Sequence, residues 1–428
     1  MYLKKYIDNL TLEKNIEKQN KNWFNANDLL KHFGNEQIPN SKVEEWKNFK
    51  TKALKDKDWK LPDILSNKTA EKLSSNLNET IVFKDGSYCP DSSSIKHIKG
   101  LVIKNIQNYI EENPNFLEKL SYSPKKYAEE RLSGILDNQT TTLLSLNCLI
   151  NQGIVIELEA YKRLRKIIKI IHISKDKTLD LIHSPHIIII SKDGSEASFE
   201  EYYEINNCWI NSFIETYLEK NSKLNFSRIQ TENTNTIKTV SFNSHIAEDA
   251  SLNLKILNRE KSKEDIRIFL KGRNSNAKVS GIIASSNKDD SDIYCKIVHD
   301  NKLTNSEQNW RLISSENSKT SINGKIRVNK GAKKSIAKFS SKSLILNEKA
   351  TSFSKPELEI LEDDVKCSHG ASFGEIDQSL VFYLQSRGIK KQDAIKLLIF
   401  AFIEEIEFEG KIVFDQLESY FKKINYDK

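Results

Sequence analysis

Cysteine is scarce and scattered in this chain: five residues, Cys89, Cys148, Cys208, Cys295 and Cys367, among 428. The number is odd and no C-x-x-C occurs. That excludes a disulfide framework and zinc-finger spacing, and it points to a reducing, cytoplasmic compartment. Long apolar runs are also missing. The purest, Ile187 to Ile190, is far short of the roughly 20 residues a membrane span requires, so no membrane partner is expected. The opening Met1-Tyr2-Leu3-Lys4-Lys5-Tyr6-Ile7-Asp8 has no apolar stretch before its next charges, and no secretory signal is read there. Basic residues outnumber acidic ones by 66 to 59, yet no block of one sign dominates. The basic run Tyr161-Lys162-Arg163-Leu164-Arg165-Lys166 lacks interleaved aromatics beyond Tyr161, so it reads as a solvated face and no nucleic-acid partner is expected. Neither G-x-x-x-x-G-K nor G-x-G-x-x-G is present, and H-E-x-x-H is absent too. A P-loop, a dinucleotide fingerprint and an H-E-x-x-H zinc centre are therefore excluded.

What is present is an ordinary globular composition, 38% hydrophobic and 29% charged, long enough for two or three domains. Residues 1–150 read as a mainly helical domain. Asn27 to Gly34 resembles a short capped helix, Ile106 to Leu120 a helix interrupted by Pro114, and Pro124 to Leu136 a third. Trp46 reads as a packing anchor. From about Gly153 apolar residues alternate or cluster in short runs, and helical periodicity disappears. A repeat runs through this region: Gly194-Ser195-Glu196-Ala197-Ser198, Asn221-Ser222-Lys223-Leu224-Asn225, Asp249-Ala250-Ser251-Leu252-Asn253 and Asn276-Ala277-Lys278-Val279-Ser280. Its small residues are Ser195, Ser222, Ala250 and Ala277, and weaker copies follow at 317–321, 331–335 and 349–352. A small residue at each corner is what a coil of stacked rungs requires. Residues 151–372 are accordingly expected to form a parallel β-helix. The rival, a β-sandwich, would need hairpin turns at short intervals, and only Asp85-Gly86, Asp193-Gly194 and Asn323-Gly324 qualify. Residues 373–428 return to helical period. Asp377 can N-cap a helix to Arg387 with Gly388 as its stop, Ala394, Leu397, Leu398, Ala401 and Phe402 form a stripe, and Phe414 to Ile424 is amphipathic. This tail is expected to cover the open end of the solenoid, and it is also compatible with a docking surface.

The best constellation for chemistry is Cys367-Ser368-His369, where strand gives way to helix. Side chains at i and i+2 of a strand share a face, so a thiol and an imidazole would project together. Two ligands do not complete a metal site, which takes three or four. Taken alone, Cys367 reads as a small buried apolar residue and His369 as a hydrogen-bonded structural histidine. If both function, further ligands must come from elsewhere, most simply another subunit. Cys295 and His299 are the nearest alternatives in sequence. His172, His183 and His186 tempt a metal reading, but Pro185 breaks any helix that would align the last two.

Asn347-Glu348-Lys349-Ala350, Pro356-Glu357-Leu358-Glu359-Ile360 and Asp363-Asp364-Val365-Lys366-Cys367-Ser368-His369-Gly370-Ala371 resemble the C-terminal signature of the SufB/SufD family of iron–sulfur cluster assembly proteins. Phe382-Tyr383-Leu384-Gln385-Ser386-Arg387-Gly388-Ile389 and Ala401-Phe402-Ile403-Glu404 continue the likeness, with weaker similarity at Gly324-Lys325-Ile326-Arg327-Val328 and Asn211-Ser212. Glu44-Glu45-Trp46-Lys47 and Leu146-Asn147, with the overall length, fit the SufD branch. The resemblance implies a right-handed parallel β-helix flanked by N- and C-terminal helical domains, in a non-enzymatic scaffold subunit. It implies pairing with SufB through the β-helix, docking of the SufC ATPase on the C-terminal helices, and a transient iron–sulfur cluster at the subunit interface. His369 maps onto the histidine proposed to act beside a SufB cysteine. Cys367 matches as well, in a supporting or interface role. A reduced flavin belongs to the complex rather than to this chain. The chain departs from the usual Ala-Thr-Val-Gly at Ala371-Ser372-Phe373-Gly374. The competing readings are a SufB-like or homodimeric scaffold, and a β-helix enzyme acting on polysaccharides.

Overall fold

The computed structural model describes residues 42–62, 79–119, 143–150, 153–408 and 411–423, with short gaps inside those ranges. The helices expected at 27–34 and 124–136 lie outside the described residues. The described chain is mostly β, a parallel β-solenoid of about 7 turns with helices at its C-terminal end.

Two sheets make the solenoid. The first contains β1 (Thr80–Lys84), β2 (Ser87–Tyr88), β5 (Ile168–Ile173), β8 (Glu196–Glu204), β10 (Lys223–Ile229), β12 (Ser251–Arg259), β14 (Asn276–Ser285), β16 (Asn305–Ser314), β18 (Ser335–Ile345) and β20 (Val365–Glu375). The second contains β3 (Leu101–Asn105), β4 (Ile154–Leu158), β6 (Leu181–His183), β7 (His186–Ser191), β9 (Cys208–Leu218), β11 (Ile237–Ile246), β13 (Ser262–Leu270), β15 (Asp290–His299), β17 (Lys319–Val328) and β19 (Thr351–Ile360). From β8 onward the chain alternates between sheets and every pairing is parallel. That removes the sandwich. The early strands pair differently: β2 runs antiparallel to β1 and β3 antiparallel to β4. Residues 80–105, in the stretch read as mainly helical, thus add three strands to the sheets. Helix is seen there as α1 (Ile106–Glu112), capped by the Asn105 side chain, with a 3-10 turn starting at Pro114.

Alternation sends every second side chain inward, and the registers stack those residues into columns. One column reads Ala197, Leu224, Leu252, Ala277, Ser306, Ala337, Cys367; the next reads Phe199, Phe226, Leu254, Val279, Gln308, Phe339, His369. Their apolar members, together with Phe242, Ile266, Ile268 and Ile297 from the other sheet, build one continuous core, in which Ser306 and Gln308 are buried polar exceptions. Each fully buried Leu, Ile or Phe contributes about 1.5–3 kcal/mol.

The corner repeat is real, with one correction. Lys223 donates to the Ser195 carbonyl, Ser251 to Ser222, Asn276 to Ala250 and Asn305 to Ser275. The fourth corner residue is therefore Ser275. Ala277 lies two positions further on, inside the solenoid in register with Leu252. The weaker copies at 317–321 and 349–352 occupy the opposite corner, where Thr351 donates to the Ser318 carbonyl.

At the C-terminal end come α2 (Gln378–Ser386), α3 (Lys391–Ile403) and α4 (Lys411–Lys423). Asp377 accepts from the Ser379 amide at 2.8 Å, and Gly388 follows α2 at φ +86 with Ile389 donating to the Leu384 carbonyl. These helices do not cover the open end as expected. Their apolar side chains, among them Ala394, Ile395, Ile399, Leu417 and Phe421, pack on an outward stripe of the first sheet: Tyr202, Ile229, Leu257, Ile282, Ile313 and Leu344. The Tyr420 hydroxyl donates to the Ser285 carbonyl at 2.6 Å and Lys255 to the Glu407 carbonyl at 2.6 Å. The tail thus lies along the sheet face, and among the described residues no helix covers β19 and β20.

Candidate functional site

Among the described residues, β19 and β20 each have a strand neighbour on one side only. Thr351 and Leu361 donate to the carbonyls of Ser318 and Val328, so odd-numbered residues of β19 bond downward to β17. Parallel ladders alternate. The amides of Ser352, Ser354, Leu358 and Ile360 therefore face the free edge, and Pro356 leaves a gap among them. In the first sheet Asn305 and Ile336, odd and even at their own strand starts, each donate to the strand below. The same rule assigns Lys366, Ser368 and Gly370 to β18 and turns the backbones of Cys367, His369, Ala371 and Phe373 to the free edge.

Cys367 and His369 thus occupy adjacent inward columns of the last rung. Their spacing along the strand is about 6.6 Å. Cys367 is half-buried over Ala337 and packs on the core; burial pushes its thiol pKa up, favouring the neutral thiol. His369 stands in register above Phe339 and is exposed. Gly370 and Gly374 alternate with the inward positions, and a Cβ at either would meet nothing within 4 Å, so the outer face of β20 is bare there. An exposed imidazole on a rigid strand can donate a nitrogen to a soft or borderline ion. One neutral thiol and one imidazole do not close a coordination sphere. Among the described residues no group of three or more His, Cys, Asp or Glu could hold a metal ion.

The other sequence candidates are elsewhere. Cys295 is buried in the core, and His299 is held between Thr304 Oγ1 at 2.7 Å and Ser306 Oγ at 2.8 Å. His172 bonds Glu201 at 2.9 Å and stacks on Tyr203, while His186 stacks on Phe213 near Glu215. His183 is buried in β6. They are structural and do not converge on the terminal rung. Trp46 is the anchor expected of it, buried in the 3-10 turn Glu44–Trp46 and packed edge-on against Phe49. That turn also supplies a contact sequence reasoning missed: Glu44 pairs with Lys355 of β19 at 3.1 Å. Nothing in one dimension links residues 311 positions apart.

A second exposed feature lies on α2. Phe382 is 73% exposed, Tyr383 55% and Leu380 48%, whereas Val381 of the same helix is buried. Large apolar side chains left that open mark an interaction surface.

The family model for the SUF system FeS cluster assembly, SufBD core domain, matches residues 172–402. The chain belongs to this family. Within it the chain is most like SufD. It is 36% identical over 137 residues to the iron-sulfur cluster assembly protein SufD of Escherichia coli, covering 32% of each chain. It is 27% identical over 250 residues to the chloroplastic protein ABCI7 of Arabidopsis thaliana, covering 56% of this chain and 53% of that one. A Synechocystis SufBD family protein, slr0076, is 23% identical over 402 residues, covering 89% and 85%. The chain thus spans about a third of the first of these relatives and about half of the second. The matched core starts in β5 and ends in α3, so the terminal rung lies inside it.

Proposed function

We propose that this chain is a non-catalytic scaffold subunit for iron–sulfur cluster assembly. Its last rung pairs with a homologous solenoid, SufB, and a nascent cluster, the cargo, is held at the junction. His369 provides one ligand and a cysteine of the partner another. Cys367, neutral and tucked against Ala337, supports the rung rather than ligating. The SufC ATPase docks on the C-terminal helices, for which the exposed Leu380, Phe382 and Tyr383 of α2 are the natural contacts. Anchoring of α3 and α4 along the first sheet would carry movement of the ATPase to the strand ends. The N-terminal segment through 150, the solenoid core and the helices from 373 divide the labour as bracing, junction and docking. A flavin would be held by the complex. Nothing in this role calls for a membrane or nucleic acid, and it suits the cytoplasm; no described helix is long and apolar enough to cross a membrane.

The observation that carries this reading is an exposed histidine on the inward column of a rung whose two strands, among the described residues, each have a neighbour on one side only. The test is co-expression with SufB and SufC homologues, anaerobic purification and visible absorption spectroscopy. A His369→Ala complex should assemble normally but form clusters several-fold more slowly. Clusters forming at the unaltered rate would remove the ligand role.

A further inference from the structure

Gly324 lies on the inward column of β17, in register with Cys295 below and Pro356 above. A Cβ built at Gly324 would fall 1.9 Å from Cε2 and 2.3 Å from Cδ2 of Phe339. Phe339 comes from β18 in the opposite sheet, so its ring spans the solenoid and rests on the bare glycine backbone. The φ of Gly324 is not positive; the glycine is needed for room, not for conformation. One rung lower Trp310 also rests on a glycine, but within its own sheet: its Cζ3 is 2.6 Å from where a Cβ of its register partner Gly281 would stand. Two aromatics on glycine seats close the solenoid interior just under the terminal rung. Phe339 is also the register partner of His369, about 4.8 Å beneath it.

We propose that Phe339, seated on Gly324, is the positioning residue for His369: the ring is the floor of this column, and the glycine sets its height. An alanine at 324 cannot coexist with the ring, because overpacked cores respond by shifting side chains and backbone. Phe339 would be pushed toward the open end and would carry the β20 backbone at His369 with it. Ligand positions tolerate displacements of only about 0.5 Å. The functional consequence rests on His369 being a ligand; the displacement itself does not.

The experiment uses the full chain with labelled imidazoles, the His369 resonance being assigned by its loss in His369→Ala. Gly324→Ala should shift and broaden that resonance while His172 and His186, in the first turns, stay put. Gly324→Ala/Phe339→Leu should restore it, since the shorter side chain makes room. In the co-expressed complex, the single variant should lower cluster yield several-fold and the double variant recover it. A folded Gly324→Ala chain with His369 unmoved overturns the proposal, as does a double variant no closer to the parent than the single. Should Gly324→Ala fail to fold, Phe339→Leu alone must move the His369 resonance, and an unmoved resonance there is equally fatal. If His369 moves but cluster yield does not, the seat stands and the ligand role falls.

Discussion

At the scale of single residues, the solenoid interior is less uniformly apolar than its composition suggests. Arg228 bonds Glu201 at 2.8 Å and Glu264 at 2.9 Å, and Glu201 also accepts from the Tyr203 hydroxyl at 2.8 Å. Burial pushes the Glu201 carboxyl up, but the Arg228 guanidinium and the hydrogen bond with His172 outweigh it and hold it at about 2. Glu264, with burial dominant, stays above its ordinary value. At two histidines burial prevails, although Asp300 partly offsets it at His299. Burial lowers His183 to about 3 and His299 to about 4. In the unfolded chain both titrate near 6.5. Below that pH the unfolded chain takes up protons that the folded one refuses. The stability due to their neutrality is therefore complete above pH 6.5 and lost progressively as pH falls toward 4 and then 3. Each site steepens the fall by at most about 1.4 kcal/mol per pH unit. Denaturant unfolding of His183→Gln between pH 7 and 4 should show a shallower decline than the parent; parallel declines would mean that His183 takes up its proton as readily in the fold as in the unfolded chain.

At the scale of elements, the corners decide the fold and show where sequence reading succeeds. Asn221, Asp249, Asn274, Leu303 and Lys334 hold successive corners of one edge at φ between 55 and 62. Asn and Asp tolerate this left-handed region, and a branched apolar side chain does not. Leu303 is the misfit, and Leu303→Asn should stabilise the chain by about 1 kcal/mol, measured as a raised thermal midpoint. An unchanged or lowered midpoint would show that the Leu303 side chain contributes packing worth more than the strain. The repeat was legible because Ser195, Ser222 and Ala250 each follow a turn former and precede an alternating strand. It slipped at Ala277 because Ser275 and Ala277 are both small and both fit. Only backbone pairing separates the corner from the column. The opposite corner was merged with the first for the same reason: Ser318 and Ala350 look like Ser222 and Ala250 in one dimension. Cys367 and His369 were legible as a pair because strand spacing fixes their common face. Their exposure was not, since it depends on where α3 and α4 settle, and Leu397 or Ala401 cannot say which surface their stripe will meet. The Phe339–Gly324 seat was equally hidden, because it joins two sheets that only the coil brings together.

At the scale of the whole molecule, the two ends of the solenoid are built to opposite purposes. One end finishes in antiparallel strands, β2 with two residues and β3 with five, which are short edges of the kind that discourage further pairing. The other finishes in β19 and β20, ten and eleven residues long, with Phe353, Ile360, Leu361 and Phe373 all more than 40% exposed. A long, flat, apolar edge invites another strand, so an assembly that avoids aggregation must cover it. Ladder parity makes this testable within two neighbouring residues. Ala371 turns its amide to the free edge, whereas Ser372 donates to β18. A proline at 371 removes a donor only an added strand would use, and one at 372 breaks a bond of the solenoid itself. Ala371→Pro should therefore fold with nearly unchanged stability and lose co-purification with the partner solenoid. Ser372→Pro should lose about 3 kcal/mol of stability. Measured together by chemical denaturation and pull-down, the pair separates joining from folding. If Ala371→Pro still pairs at full affinity, the junction does not run through the edge of β20, and His369 would then have to meet its partner across the open rung without a shared ladder.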